Sequence, residues 1–277
     1  MQTHANQQHE VNEYFESSSD YWKDIYCEDE LLPRIYQDRH NTTLAWIRKL
    51  ALRKDARILE VGCGAGLTSV ALAKDGYTVD AMDSTMTMLQ MTGRSARCEG
   101  VEDRIRLHLA DVHALPFESR TFDLVIAIGV IPWLHSERTA VEEMQRVLKR
   151  RGYLLVTADN DGRLIRILDP ASSPMFAPVR RIAKRVLQRF GWWSPPSGFQ
   201  AKRHDRNDVH RLMNRSGFQE LQSCTVGFGP FTFLGRSLFA DSTGIGLHQR
   251  LQTFASRNGW SPLRWTGSHY LVLATKL

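Results

Sequence analysis

The sequence predicts an α/β protein, an open and mainly parallel sheet wound by helices on both faces. Three observations carry that expectation. Five β-rich apolar runs recur through the first 160 residues. Segments with helical periodicity separate most of them. The runs are near-continuously apolar, as in "LVIAIGV", which suits strands buried on both faces.

Taken in order, residues 1–50 read as a helical segment with Tyr14, Phe15, Tyr21, Trp22 and Tyr26. The five runs are "RILEVGC" (57–63), "YTVDAMD" (77–83), "RIRLHLAD" (104–111), "FDLVIAIGV" (122–130) and "YLLVTADN" (153–160). Helices are expected over 67–76, closed by Gly76, over 84–97, and over 136–152 with Ser136 as N-cap. Met86 and Met91 read as core positions of the second helix, and Cys63 as a small filler. Residues 51–160 thus form the core of the fold. The rhythm breaks after Asn160. Residues 161–202 hold five prolines and a basic helical stretch, and read as an insertion or cap. Residues 203–277 complete the sheet with strands over 218–229 and 269–277, and 230–268 form a further insertion too long for a hairpin turn.

Composition narrows the function classes. The 277 residues are 42% hydrophobic and 24% charged, an ordinary globular balance. Cys27, Cys63, Cys98 and Cys224 are scattered, which argues against a disulfide framework or a zinc site and suits a reducing cytoplasm. The polar start predicts no secretory leader. The longest apolar run, 124–134, is too short to span a bilayer. The net charge of +6 is concentrated: residues 161–215 carry 12 Lys and Arg against four acids. Such a stretch is either a solvated face or a surface for an anionic partner.

The most informative stretch is "LEVGCGAGLTS" (59–69), a glycine loop at the end of the first strand, where open α/β sheets bind nucleotide-like ligands. Dinucleotide sites use G-x-G-x-x-G. Here Gly62, Gly64 and Gly66 make G-x-G-x-G, and Leu67 occupies the third dinucleotide position. Asp83 closes the second strand 21 residues after Gly62, where a carboxylate accepts from a ribose diol. Asp111 closes the third, placed for an adenine amino group with Val112 beside the ring.

Glu60, the loop, "DSTMTML" (83–89), "ADVHALPF" (110–117), "FDLVIAIGVIPWLH" (122–135) and "EEMQRVLKRRGYLLVT" (142–157) together resemble the class I S-adenosylmethionine-dependent methyltransferases, most closely the type 11 small-molecule group. The resemblance covers roughly residues 40 to 160. It implies a Rossmann-like sheet of seven strands with the last antiparallel, the N-terminal helices lying over the cofactor site, and S-adenosylmethionine as cofactor. It further implies that Gly62, Gly64 and Gly66 let the methionine part lie against backbone, and that Glu60 orients its ammonium group. Asp83 would hold the ribose hydroxyls, Ser84 and Met88 would flank the adenine, and Asp111 and Val112 would meet its edge. Ile128 would line the methionine pocket, and Arg39 would meet the cofactor carboxylate. "KRRGYLL" departs from the Pro-Gly turn of many relatives, which alters only that turn.

Methyl transfer from a sulfonium needs alignment and exclusion of water but no metal, and no metal-ligand cluster is evident. An oxygen acceptor must lose a proton. His135, after the fourth strand, is the first candidate base; His40 and Asp159 follow. "FAPVRRIAKRVLQRFGWW" (176–193) is a basic amphipathic helix followed by two tryptophans. Two readings compete for it: a cap over the active site, or a peripheral contact with the inner face of the membrane. "GFGPFTFLGRSLF" (227–239) reads as pocket lining or core. The expected function is methyl transfer to a small-molecule or lipid-linked acceptor, with oxygen ahead of nitrogen or carbon. The alternatives are a nucleic-acid methyltransferase, disfavoured because no nucleic-acid module is evident and "GVIPW" stands where N-P-P-Y would, and a non-catalytic cofactor-binding regulator.

Overall fold

The structure, a computed structural model, describes residues 2–25, 28–192, 194, 201–257 and 262–277. Tyr26, Cys27, Trp193, Pro195 and Pro196, all singled out above, lie outside the described residues.

Seven strands form one sheet: β1 (Arg57–Val61), β2 (Thr78–Asp83), β3 (Ile105–Leu109), β4 (Phe122–Ala127), β5 (Leu148–Asp159), β6 (Phe218–Val226) and, last in the chain, β9 (His269–Lys276). Their order is β3-β2-β1-β4-β5-β9-β6. The first five run parallel, and β9 lies antiparallel between β5 and β6. The order reverses beside β1, which opens a crevice at the carboxyl ends of β1, β2 and β4. The antiparallel register sets Asp159, at the end of β5, opposite His269, at the start of β9.

Helices cover both faces. On one, α6 (Glu137–Val147) and α9 (Arg206–Arg215) bury Ala140, Val141, Met144, Val209 and Met213 against Val125, Leu154 and Val272. On the other, α3 (Leu31–Lys49) and α4 (Leu67–Lys74) bury Leu44, Ile47 and Leu72 against Ile58, Val79, Leu124 and Leu271. Helix α5 (Met86–Cys98) adds Leu89 and Ala96 against Ala81. Met86 itself is half exposed, contrary to its reading as core, because it sits on the outward face of the first turn of α5; Met88 is buried. Helices α1 (Gln2–Ser17) and α2 (Ser19–Asp24) precede α3.

The caps follow the sequence. Ser136 accepts from Thr139 N at 3.3 Å. Gly76, at φ +95°, ends α4, with Gly76 N and Tyr77 N bonding back to Ala73 O and Leu72 O. The helix expected over 136–152 stops at Val147 instead, and Leu148–Gly152 enter β5. Leu148 is buried opposite Phe122, and Lys276 of β9 donates to Gln145 O at 2.6 Å and Leu148 O at 2.8 Å. A strand distant in sequence thus terminates the helix. Arg151, at φ +59°, bends the strand where the altered turn was expected.

Residues 161–202 contain α7 (Leu164–Leu168) and α8 (Ala177–Arg189). Residues 230–268 contain a small hairpin, β7 (Thr232–Phe233) and β8 (Arg236–Ser237), and α10 (Asp241–Arg257), which the sequence reading did not foresee. Buried His248 anchors α10, its Nε2 lying 2.8 Å from Asp38 of α3 while its Nδ1 accepts from Phe228 N at 3.0 Å. Phe228 is core, but Phe233, Leu234, Leu238 and Phe239 are exposed, so most of that aromatic stretch lines no core. No helix among the described residues is long and apolar enough to cross a membrane.

Ser136→Ala is expected to cost about 1 kcal/mol, the usual loss for an N-cap. Lys276→Leu is expected to cost more, about 1.5–3 kcal/mol, because two charge-assisted hydrogen bonds are lost and two carbonyls are orphaned. Urea denaturation of the two variants should rank them in that order.

Candidate active site

The glycine loop turns sharply because three of its residues adopt left-handed backbone: Gly62 (φ +66°), Gly64 (φ +55°) and Gly66 (φ +86°). They differ in what a side chain would meet. A Cβ on Gly62 would lie 2.5 Å from Val130 Cγ2, and one on Gly66 2.8 Å from Thr92 Cγ2; one on Gly64 would meet nothing within 4 Å. Gly64 therefore faces open space, and the other two are pressed against neighbouring elements. Helix α5 holds the loop from behind, with Thr92 Oγ1 donating to Gly64 O at 2.7 Å and Ser95 Oγ to Ala65 O at 3.0 Å.

That open space is a cleft of ≈ 1320 Å³, counting the solvent at its mouth. Its floor is the loop and the ends of β1, β2 and β4; its roof is α1, α2 and α3. Of the expected cofactor residues, Arg39, Glu60, Gly62, Gly64, Asp83, Ser84, Met88, Asp111, Val112 and Ile128 line it. Gly66 does not; it begins α4.

Two buried carboxylates face this cleft. Asp83 accepts from Gly64 N at 3.1 Å and from Thr85 N and Oγ1 at 3.0 and 3.1 Å. Burial nonetheless raises its pKa. Glu60 accepts from Ser69 Oγ, and burial lifts its pKa to about 7. Asp111 accepts from His113 N and lies 2.7 Å from His113 Nδ1; burial pushes its pKa up, but those bonds outweigh burial and hold it low. Asn12 of α1 accepts from Ser84 Oγ at 2.9 Å, which ties the roof to the floor. Arg39 lies over the Tyr36 ring at 4.7 Å, with its guanidinium against Gly129, whose missing Cβ would stand 3.3 Å from Nη1.

The three candidate bases separate. His135 is not brought to the cleft. The single-turn helix Ile131–Trp133 sends Pro132, Trp133 and Leu134 to the wall, and the His135 ring stacks on His113 with centroids 3.5 Å apart. His40 lines the cleft 3.3 Å from Thr68 Oγ1, and burial, then Arg39 and Arg48, lowers its pKa to about 4. Asp159 also lines the cleft, and its Oδ1 lies 3.3 Å from Nδ1 of buried His269. Burial raises the Asp159 pKa, but His269, Arg39 and Arg163 together outweigh it and the net shift is downward; burial lowers that of His269.

Beside this pair runs a train of rings that the sequence did not single out as one feature: Trp133, Phe15, Trp22, Tyr36 and His269, with successive centroids 4.9, 5.9, 5.7 and 5.2 Å apart. Trp22 Nε1 is buried with no hydrogen-bond partner among the described residues. Tyr36, Arg39 and His40 share one face of α3 at i, i+3 and i+4, a signal present in the sequence; His269 carried none.

Residues 59–156 match the family of methyltransferase domains. The methyltransferase GfsG of Streptomyces halstedii is 31% identical over 137 residues, covering 49% of this chain and 48% of that protein. A malonyl-[acyl-carrier protein] O-methyltransferase of Enterobacter lignolyticus is 33% identical over 113 residues, covering 41% and 43%. The chain thus spans less than half the length of these curated relatives. The magnesium protoporphyrin IX methyltransferase of Synechocystis, solved with bound S-adenosylhomocysteine, shares the fold at a TM-score of 0.64 and 14% identity, over 98% of this chain and 100% of that one. Residues 59–156 thus carry the methyltransferase-domain match, on a fold shared with that enzyme. In the cleft Gly64 leaves backbone uncovered, and Glu60 and Asp83 place two carboxylates there.

The Glu60 shift has a testable sign. Its carboxyl binds a proton more tightly in the folded protein than in the open chain, so the stability it contributes is complete below about pH 4.5 and lost as pH rises through about 7. The loss is on the order of 3 kcal/mol. Relative to wild type, Glu60→Gln should therefore gain thermal stability between about pH 5 and pH 8. A Tm difference that stays flat across that range in calorimetry would remove the shift.

Proposed function

We propose that this protein transfers the methyl group of S-adenosylmethionine to an acidic hydroxyl oxygen, phenolic or enolic, of a small-molecule or lipid-linked acceptor. The observation that carries this reading is the Asp159–His269 pair on the cleft wall, beside the ring train from Trp133 to Tyr36.

Bound cofactor supplies a methyl group already activated on sulfur, so the protein's part is positioning, proton removal and exclusion of water. Gly62, Gly64, Glu60, Asp83 and Arg39 would hold the cofactor, with Ser84, Met88, Asp111, Val112 and Ile128 about its base and methionine ends. The acceptor ring would lie against Tyr36 and Trp22, and the Trp22 indole N–H would donate to a second acceptor oxygen. The reacting hydroxyl would donate to Asp159, which takes the proton as the oxygen–carbon bond forms. His269 Nδ1, 3.3 Å from that carboxylate, would steady it.

The acidity of the acceptor follows from the bases at hand. Asp159 is held low by His269, Arg39 and Arg163 against its burial, and His40 has a pKa of about 4. Neither is matched to an aliphatic alcohol, whereas an acidic hydroxyl needs only a weak base. A nitrogen acceptor would find no strong base for its ammonium form.

Transfer of labelled methyl to a panel of phenols, enols, aliphatic alcohols and amines tests the reading; turnover should concentrate on phenols and enols. Preference for amines or aliphatic alcohols would overturn it. Asp159→Asn should lower kcat at least ~10-fold, toward the 10²–10⁴ range of general-base losses, while cofactor affinity holds. Asp83→Ala should do the reverse, weakening cofactor binding by about 1.5–3 kcal/mol in calorimetry.

A further inference from the structure

Helix α8 has no buried residue. Val179, Ile182, Val186 and Phe190 form one stripe along it, and each is 50–65% exposed. The protein's own core does not cover the stripe, so the helix does not act as a packed cap. Its flanks are apolar and exposed too: Ile167, Leu168 and Met175 before it, Trp192 after it. Between the apolar positions stand Arg180, Arg181, Lys184, Arg185 and Arg189, and the helix has no acidic residue.

This surface is built into the fold. Buried Asp169 closes the loop leading to α8 by accepting from Ala171 N at 2.8 Å. Its other oxygen accepts from Thr232 Oγ1 at 2.5 Å and Gly235 N at 3.1 Å. One carboxylate therefore fastens the β7–β8 hairpin to the base of α8. Arg180 completes the joint by donating to Pro170 O at 2.8 Å and to Ser173 O. The fastened hairpin exposes Phe233 and Leu234, with Leu238 and Phe239 just after it. Two exposed apolar elements from distant parts of the chain are thus held together, beginning a few residues beyond Asp159 of the cleft.

We propose that α8 and the β7–β8 hairpin dock on an anionic lipid bilayer. The occupant follows from two features. A cationic amphipathic helix matches anionic headgroups with its basic residues and acyl chains with its stripe. A second copy of this chain would bring like charges together, and a nucleic acid would leave the stripe and the hairpin uncovered. The proposal does not rest on the methyl-transfer reading. If both hold, the bilayer brings a lipid-linked acceptor to the Asp159 end of the cleft.

Co-sedimentation with phosphatidylcholine vesicles, with and without phosphatidylglycerol, tests this. The protein should pellet with the anionic vesicles at low salt, bind neutral ones far less, and be released by high salt. Combining Arg181→Gln, Arg185→Gln and Arg189→Gln should weaken binding about a hundredfold, as three lost headgroup attractions imply. Arg180 is spared because it holds the loop. Ile182→Ser with Val186→Ser, and separately Phe233→Ser, should weaken binding with the charge intact. Each variant should keep the wild-type Tm, since none of these residues is buried. Wild type remaining in the supernatant at low salt, or a triple variant that binds as tightly as wild type, would overturn the proposal. So would duplex DNA binding insensitive to the serine changes, or a dimer in sedimentation velocity that those changes abolish without any vesicle binding.

Discussion

Everything at the cleft depends on a backbone that bends where side chains cannot follow. Three left-handed glycines between β1 and α4 let the chain leave the sheet and enter a helix within a few residues. Their neighbours leave little room for change: Val130 fills the place of a Gly62 side chain and Thr92 that of Gly66. Thr92 and Ser95 take loop carbonyls, and Asp83 takes the Gly64 N–H. β2, the segment after β4 and α5 are thus keyed to one turn, and the uncovered face of Gly64 is what the turn leaves open.

The second constraint is charge out of water. Glu60, Asp83 and Asp159 converge on one cleft, and burial works against the charged form of each. The fold answers each differently. Asp83 has backbone and hydroxyl donors and Asp159 has His269, while Glu60 has little beyond Ser69 and Thr68 and rises to about 7. The least satisfied carboxylate is the one a bound cation would help most. A site that is electrostatically costly when empty and relieved when filled couples ligand binding to stability.

The two ends of the molecule use apolar surface in opposite ways. Around the sheet it is buried on both faces, and at α8 and the β7–β8 hairpin it is held outward.

The parallel core was legible because strand and helix periods are local properties, as were the Ser136 and Gly76 caps. So were the glycine loop, Asp83 and Asp111, whose spacing is set by one strand, one turn and one helix. Long-range contacts were not legible. Lys276 ends α6 early, and His248 fixes a helix that periodicity did not reveal. His135 follows β4 as expected, but after one helical turn its ring stacks on His113, and Pro132, Trp133 and Leu134 line the cleft in its place. The partner of Asp159 was invisible for the same reason: His269 stands 110 residues away and meets it only through the register of an antiparallel strand. The sequence alone determined which residues could make the turn and the strands. The tertiary structure decided which side chains share the cleft and which apolar stripe is left uncovered, because both depend on how distant elements are brought together.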